Sequence, residues 1–180
     1  MTIDAIQVQV QRLREDKNKY FKLAHDSPIP HELRDSFQGL SYFPYDSNYT
    51  VTAIFKKNPT QEKIIMETSK GNPQSYSRYG DFEFELRGQK LKLQAYKSEH
   101  VHGEESLFVP FKDKTAGKET YGAGRYLDID ESKDEKYVIN FNVAYNPSCV
   151  YSEDYVCPLP PRENWLDVEI KAGEKNYKHP

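Results

Sequence analysis

The sequence holds two cysteines, two methionines and one tryptophan in 180 residues. Two cysteines cannot build the dense disulfide frame on which very small secreted domains depend. A chain this long can bury a core without one. No apolar run approaches the roughly 20 residues that cross a bilayer. The opening MTIDAIQVQVQRLRED contains no apolar stretch of leader length. A soluble, cytoplasmic protein without a membrane partner is expected. Charge of one sign is also lacking, since 25 Lys and Arg oppose 28 Asp and Glu for a net charge of −3. Nucleic-acid surfaces need clustered Lys and Arg to displace counterions, so no nucleic-acid partner is expected. The five histidines fall at 25, 31, 100, 102 and 179, in helical, loop or terminal segments, and suggest no Ser-His-Asp triad. There is no repeat of fixed period and no low-complexity tract.

What the chain does have is aromatic side chains, 13% of residues, with 14 tyrosines. Tyrosine buries a large ring and keeps a polar tip, so a modestly apolar core can still be compact. Ile3, Ile6, Val10, Leu13, Lys17, Tyr20 and Phe21 recur at helical spacing, which predicts one amphipathic helix from about Thr2 to Leu23. Pro30 and Gly39 bracket PHELRDSFQ as a second, short helix. From Tyr49 onward the period becomes two. YTVTAIFKK, KIIMETS, SRYGDFEFELRG, QKLKLQAYK, SLFVPF, ETYGAGRYLDID, YVINFNVAY and WLDVEIKAG read as about eight strands. Short turn-like links such as RGQK and DESKDEK make successive strands antiparallel. The fold class expected is mainly β: an antiparallel β-barrel or strongly curved sheet, with one or two N-terminal helices packed on it. It forms a single domain over 1–180, with a helical segment over 1–40 and a β-rich body over 49–175.

Two arginines break the alternation. In YGAGRYLDI, Arg125 shares parity with Tyr121, Ala123, Leu127 and Ile129, so it points inward. The same test puts Arg78 on the face of Phe82, Phe84 and Leu86, in the same interior. A buried guanidinium needs a partner. That partner is either an anionic ligand or an internal carboxylate such as Glu119 or Glu163. Gly122 and Gly124 mark a bend or a close approach. GAGRYL is not a dinucleotide loop, since the third glycine of GxGxxG is absent.

LFVPFKDKTAGKETYGAGRYLDID, followed by FNVAYNPSCVYSEDYVCPLPPRENWLDVEIKAGEK, resembles a bacterial and archaeal family of proteins of unknown function, domain-of-unknown-function family 1684. GLSYFPYDSNYTV and TSKGNPQSYSRYGDFEFEL fit it too, and the resemblance covers roughly residues 10 to 175. It implies no activity. It makes Arg125, Tyr126, Asn142, Tyr145, Asn146, Cys149, Cys157, Glu163 and Asn164 family-motif positions.

Cys149 and Cys157 sit in CVYSEDYVC, a spacing unlike the two to four residues between zinc ligands. His100 and His102 could complete a set of four, but SEHVHGEES reads as a polar loop, and no metal or cofactor is expected. In an oxidising compartment the cysteines would close the proline-rich loop; in the cytoplasm they would be reduced and buried. DIDESKDE lacks the glycine and glutamate of a calcium loop and reads as an acidic turn. The function expected is binding of a small, anionic molecule in a tyrosine- and arginine-lined pocket. Its candidate residues are Arg78, Tyr79, Tyr121, Arg125, Tyr126, Asn142, Tyr145, Asn146, Glu163 and Asn164. The alternatives are a hydrolase-like enzyme, with Cys149 as nucleophile or Glu163 as acid-base group, and a purely structural role for the inward polar residues.

Overall fold

A computed structural model describes residues 3–98 and 106–179. The first element is the expected amphipathic helix, α1 (Ile3–Leu23). Ser27 ends it: its hydroxyl donates to the Phe21 carbonyl and accepts the Ile29 N–H at 3.1 Å. The second helix, expected between Pro30 and Gly39, shrinks to one 3-10 turn, His31–Leu33. Here the backbone carbonyls serve a side chain instead of a helix ladder. Arg34 donates through Nε to the Ile29 carbonyl at 3.0 Å and through Nη2 to that of His25 at 3.2 Å.

Seven strands follow: β1 (Thr50–Lys57), β2 (Lys63–Met66), β3 (Gln74–Leu86), β4 (Gln89–Ser98), β5 (Ser106–Phe111), β6 (Arg125–Asp130) and β7 (Lys136–Asn140). All pairings among them are antiparallel, in the order β6-β5-β4-β3-β1-β7, and the sheet curls into a half-barrel. β2 pairs with the first half of β3 and β1 with the second half. No helix among the described residues is long and apolar enough to cross a membrane. His100 and His102, weighed above as metal ligands, lie outside the described residues.

The inner face of the curl carries the main core, in which Phe82, Phe84, Leu93, Leu107, Val109, Phe111, Leu127 and Ile139 meet. Alternate residues of the same strands point the other way. There Tyr76, Tyr96, Phe108 and Tyr126 form a second cluster with Met66 and Cys157, beneath the proline-rich loop. β5 is buried on both faces for this reason. A third cluster, Phe21, Ile29, Phe37 and Tyr151, seats the end of α1.

Arg78 is not in the same interior as Arg125. The ladder between β3 and β4 pairs Arg78 with Tyr96 and Gly80 with Ala95, so Tyr79 is an extra, bulged residue. One inserted residue inverts the parity of everything before it. Tyr79 joins Phe82 in the main core, and Arg78 lies with Tyr96 on the opposite face.

The eighth expected strand, WLDVEIKAG, does not join the ladder. It runs irregularly, with bends at Asp167, Val168 and Gly173, into the open side of the curl, with Ile170 and Ala172 fully buried. What it meets there is Arg125. That side chain is 0% exposed, as parity predicts. Nη2 donates to the Ile170 carbonyl at 2.8 Å, and Nη1 donates to the carbonyls of Ala172 and, at 3.1 Å, Glu174. The backbone turns at Gly173, φ +78°, so the Glu174 carbonyl comes to the same guanidinium that serves Ile170 and Ala172. The charge partner is neither Glu119 nor Glu163 but Asp113, 3.3 Å from Nη2. Its second oxygen accepts the Ile170 N–H at 2.7 Å and the Thr115 hydroxyl at 2.8 Å. Burial lowers the Arg125 pKa, and Asp113 opposes that shift.

β6 starts only at Arg125, because Gly124 makes a turn at φ +113°. A Cβ at Gly124 would sit 2.5 Å from the Phe111 carbonyl oxygen and 2.8 Å from Pro160 Cγ. Gly122 has nothing nearer than 3.7 Å. β7 also stops early, at Asn140, whose side chain accepts the Asn142 N–H and starts a 3-10 turn over Phe141–Val143.

Two stability outcomes follow, both measured by urea unfolding. Arg125→Met leaves the Asp113 carboxylate buried without its cation and should cost about 3–5 kcal/mol. An unchanged midpoint would show the guanidinium to be dispensable. Gly124→Ala should lose about 1–3 kcal/mol from its strained φ alone, while Gly122→Ala should stay close to wild type; equal effects would refute the steric assignment.

Candidate functional site

The expected site residues separate into three places. Arg78 lies at a partly exposed edge of the second cluster. Its Nε and Nη2 grip Glu163 at 3.0 and 3.1 Å, and Nη1 meets Glu62 at 2.6 Å. The buried Tyr96 hydroxyl also donates to Glu163. Two carboxylates around one guanidinium give this corner a net negative charge, a poor seat for an anion. Glu163 raises the Arg78 pKa by accepting hydrogen bonds from it. Burial first, then Glu163, raises that of Tyr96.

The second group holds the fold. Arg125 is described above. Asn164 is fully buried, donates to the carbonyls of Gln94 and Pro110 at 2.9 and 2.8 Å, and accepts the Gln94 N–H at 2.8 Å. Tyr126 donates to the Pro158 carbonyl at 2.5 Å. Tyr79 packs on Phe55 and donates to Glu131. Tyr121 approaches Cys149, with 3.9 Å between hydroxyl and sulfur. The contacts of Cys149 and those of Glu163 are thus separate sets, and the two residues share no hydrogen-bond partner among those described here.

The third group lines a cleft. Asn142 and Tyr145 form its floor, beneath α1, with Val143, Tyr42 and Glu174 beside them. Val10, Leu13, Arg14 and Lys17 form the roof, and the cleft, open on one side, holds about 300 Å³. Lys17 and Tyr145 also border an adjoining cavity of about 300 Å³, in whose wall Asn146 sits.

Each wall residue has a definite anchor. Arg14 ties α1 to the body, donating to the carbonyls of Phe43 at 3.0 Å and Asn142 at 3.1 Å. Its guanidinium carbon lies 4.5 Å from the Tyr42 ring centroid. Arg14 Nε is buried with no protein acceptor, and burial lowers the Arg14 pKa. Glu174 is 1% exposed and accepts from Lys17, from the Asn146 N–H at 2.8 Å and from the Tyr151 hydroxyl at 2.7 Å. Lys17 also stands 4.9 Å over the Tyr145 ring. Burial, and then the Glu174 charge, push the Tyr42 and Tyr151 hydroxyls up, so both remain protonated donors at neutral pH. For Tyr145 the second cause is Asp128, which accepts its hydroxyl proton at 2.5 Å.

Sequence reasoning found the floor of this cleft and missed its cations. The signals were present. Lys17 falls on the apolar stripe of the helix, between Leu13 and Phe21. Glu174 shares parity with Ile170, so both are charges on buried faces, as Arg125 is. Among the described residues no group of three or more His, Cys, Asp or Glu side chains is placed to hold a metal ion.

A comparison with solved structures gives an uncharacterised protein of Haloarcula marismortui, determined in solution by NMR. It is 38% identical, with a TM-score of 0.74, over 96% of this chain and 95% of that one. No curated protein matches. Residues 35–175 match the family described as "Protein of unknown function (DUF1684)", which includes the floor of the cleft, Arg125 with Asp113, and both cysteines, and to that family the chain belongs.

Proposed function

We propose that this protein binds a small anionic molecule in the cleft beneath α1. The observation that carries the reading is charge in a partly open, mostly apolar cleft. Arg14, and Lys17 paired directly with the one carboxylate, Glu174, line about 300 Å³ walled by Val10, Leu13, Val143, Tyr42 and Tyr145. That volume matches the low end of small-ligand pockets. One positive charge is left over, and desolvated walls strengthen its attraction for an anion. Aromatic rings offer flat apolar contact to the rest of the ligand. This keeps the tyrosine and arginine pocket expected from the sequence but supplies its arginine from the helix. Arg78 is neutralised by two carboxylates, and Arg125, deep in the core and 0% exposed, spends both Nη groups on the protein's own oxygens.

The test begins with native mass spectrometry of the purified protein, to detect a retained molecule. Thermal unfolding against a panel of small carboxylates and phosphate esters follows. A ligand present at 100 times its Kd should add about 2.7 kcal/mol, and each kcal/mol should raise Tm by about 2–4 °C in a chain of this size. Leu13 is 51% exposed at the rim of the cleft, so Leu13→Trp should fold normally and abolish both signals by filling it. Lys17→Met should weaken the response to anions selectively. No retained molecule and no shift with any compound, or equal shifts in Leu13→Trp, would overturn the proposal.

A further inference from the structure

Cys149 and Cys157 play no part in that cleft, yet the fold brings them together with care. Cys157 belongs to the second cluster and Cys149 packs against it, in the loop that covers Tyr126 and Phe108. The Cys149 N–H donates to Cys157 Sγ at 3.3 Å, which sets the two cysteines side by side. Ser69 holds Cys157 from two sides: its hydroxyl accepts the Cys157 N–H at 3.1 Å, and its own N–H donates to the Cys157 carbonyl at 2.9 Å. Both thiols are free; Cys157 is buried and Cys149 half-exposed.

The pair is chemically unequal. The Cys149 thiol is lowered to about 6, first by the Cys157 hydrogen bond, with Tyr121 and Ser69 adding to it. The Cys157 thiol is pushed up, first by Cys149 and then by burial. One sulfur is therefore partly exposed and the more readily ionised, and its neighbour is buried and the more firmly protonated. That is the arrangement in which one cysteine attacks an oxidant and the other resolves the product.

We propose that Cys149 and Cys157 form a redox site oxidised by hydroperoxides, with Cys149 attacking and Cys157 resolving. In the first step the Cys149 thiolate forms a bond to a peroxide oxygen. The O–O bond breaks, and the alkoxide leaves and takes up a proton as an alcohol, or as water from hydrogen peroxide. Cys149 is oxidised by two electrons to a sulfenic acid. In the second step the Cys157 sulfur bonds to Cys149 sulfur. The S–O bond breaks, and hydroxide leaves with the Cys157 proton as water. Two thiols and one hydroperoxide thus become a disulfide, an alcohol and water. The disulfide staples the loop over the second cluster, a few residues beyond Tyr145 and Asn146 of the cleft.

The experiment uses the reduced full-length protein and hydrogen peroxide. One equivalent should lower the intact mass by two hydrogens and link the peptides of Cys149 and Cys157 in a non-reducing digest. Cys157→Ser should instead accumulate a sulfenic acid at Cys149, captured by dimedone. Cys149→Ser should react at least about tenfold more slowly, because the thiolate is lost. The wild-type rate should rise with pH as Cys149 deprotonates, with a midpoint near 6, against about 8.5 for a free cysteine. Tyr121→Phe, which leaves both sulfurs in place, should move that midpoint upward. Two thiols surviving the treatment, sulfinic acid forming without a disulfide, or dimedone marking Cys157 in place of Cys149 would overturn the proposal. The mass measurement on wild type decides the matter even if a serine variant fails to fold.

Discussion

The fold depends on one buried cation. The segment from Trp165 to Glu174 fills the open side of the curled sheet and is tied by backbone bonds near its ends, to Lys112 and Lys114 on one side and to Phe43 and Ala144 on the other. Its carbonyls at Ile170, Ala172 and Glu174 enter the core on one edge, and each would cost about 1–3 kcal/mol if left unpaired there. Arg125 meets all three, and Asp113 supplies the countercharge together with an acceptor for the Ile170 N–H. A lysine could not replace it, since a single ammonium lacks the planar fork that spans successive carbonyls. A buried ion pair is often no more stable than an apolar core of equal volume. Here the comparison differs, because the guanidinium also serves the Ile170, Ala172 and Glu174 carbonyls, which an apolar side chain could not.

The second constraint is that one sheet has two covered faces. Alternation along β4 sends Leu93 and Ala95 into the curl and Tyr96 out beneath the proline-rich loop. The outer cluster is built largely from tyrosines, and its loop is pinned where their hydroxyls or nearby amides reach backbone. Tyr126 bonds Pro158, and Asn164 bonds both Gln94 and Pro110. A loop with several prolines offers fewer N–H donors but keeps its carbonyls, so donor side chains such as these suit it.

Much of this was legible in the sequence, and the failures have physical causes. Parity placed Arg125 inside, because nothing interrupts alternation between Arg125 and Ile129. The same parity misplaced Arg78, because Tyr79 is a bulge. Gly80 was the visible cue: a Cβ there would collide with the Phe55 ring and the Lys56 carbonyl. WLDVEIKAG was read as a strand because alternation reports a chain with one buried side. It says nothing about whether the hydrogen-bond partner is a strand or a side chain. Asp113 could not be selected from sequence, since it sits in a turn whose approach to Arg125 depends on the pairing of β5 with β6. The cleft was half visible, its floor in family motifs and its cations on a helix where Lys17 looked like one polar interruption of an apolar stripe.

Glu174 joins the two halves of the structure. Its carbonyl oxygen accepts from Arg125 in the core, while its carboxylate accepts from Lys17, Asn146 and Tyr151 around the cleft. The anchor that fixes the last segment therefore also fixes where the cleft's negative charge stands. A displacement of the backbone at 174 would loosen the Lys17 ammonium from its carboxylate and, through Asn146, shift the wall of the adjoining cavity. Charges on the apolar sides of three elements, the partly exposed Lys17 on α1 and the buried Arg125 on β6 and Glu174 on the last segment, are thus one connected set. The residues that stabilise the core and those that set the charge of the cleft are coupled through a single side chain and its own carbonyl, so substitutions at Arg125 and Lys17 should not be independent of one another.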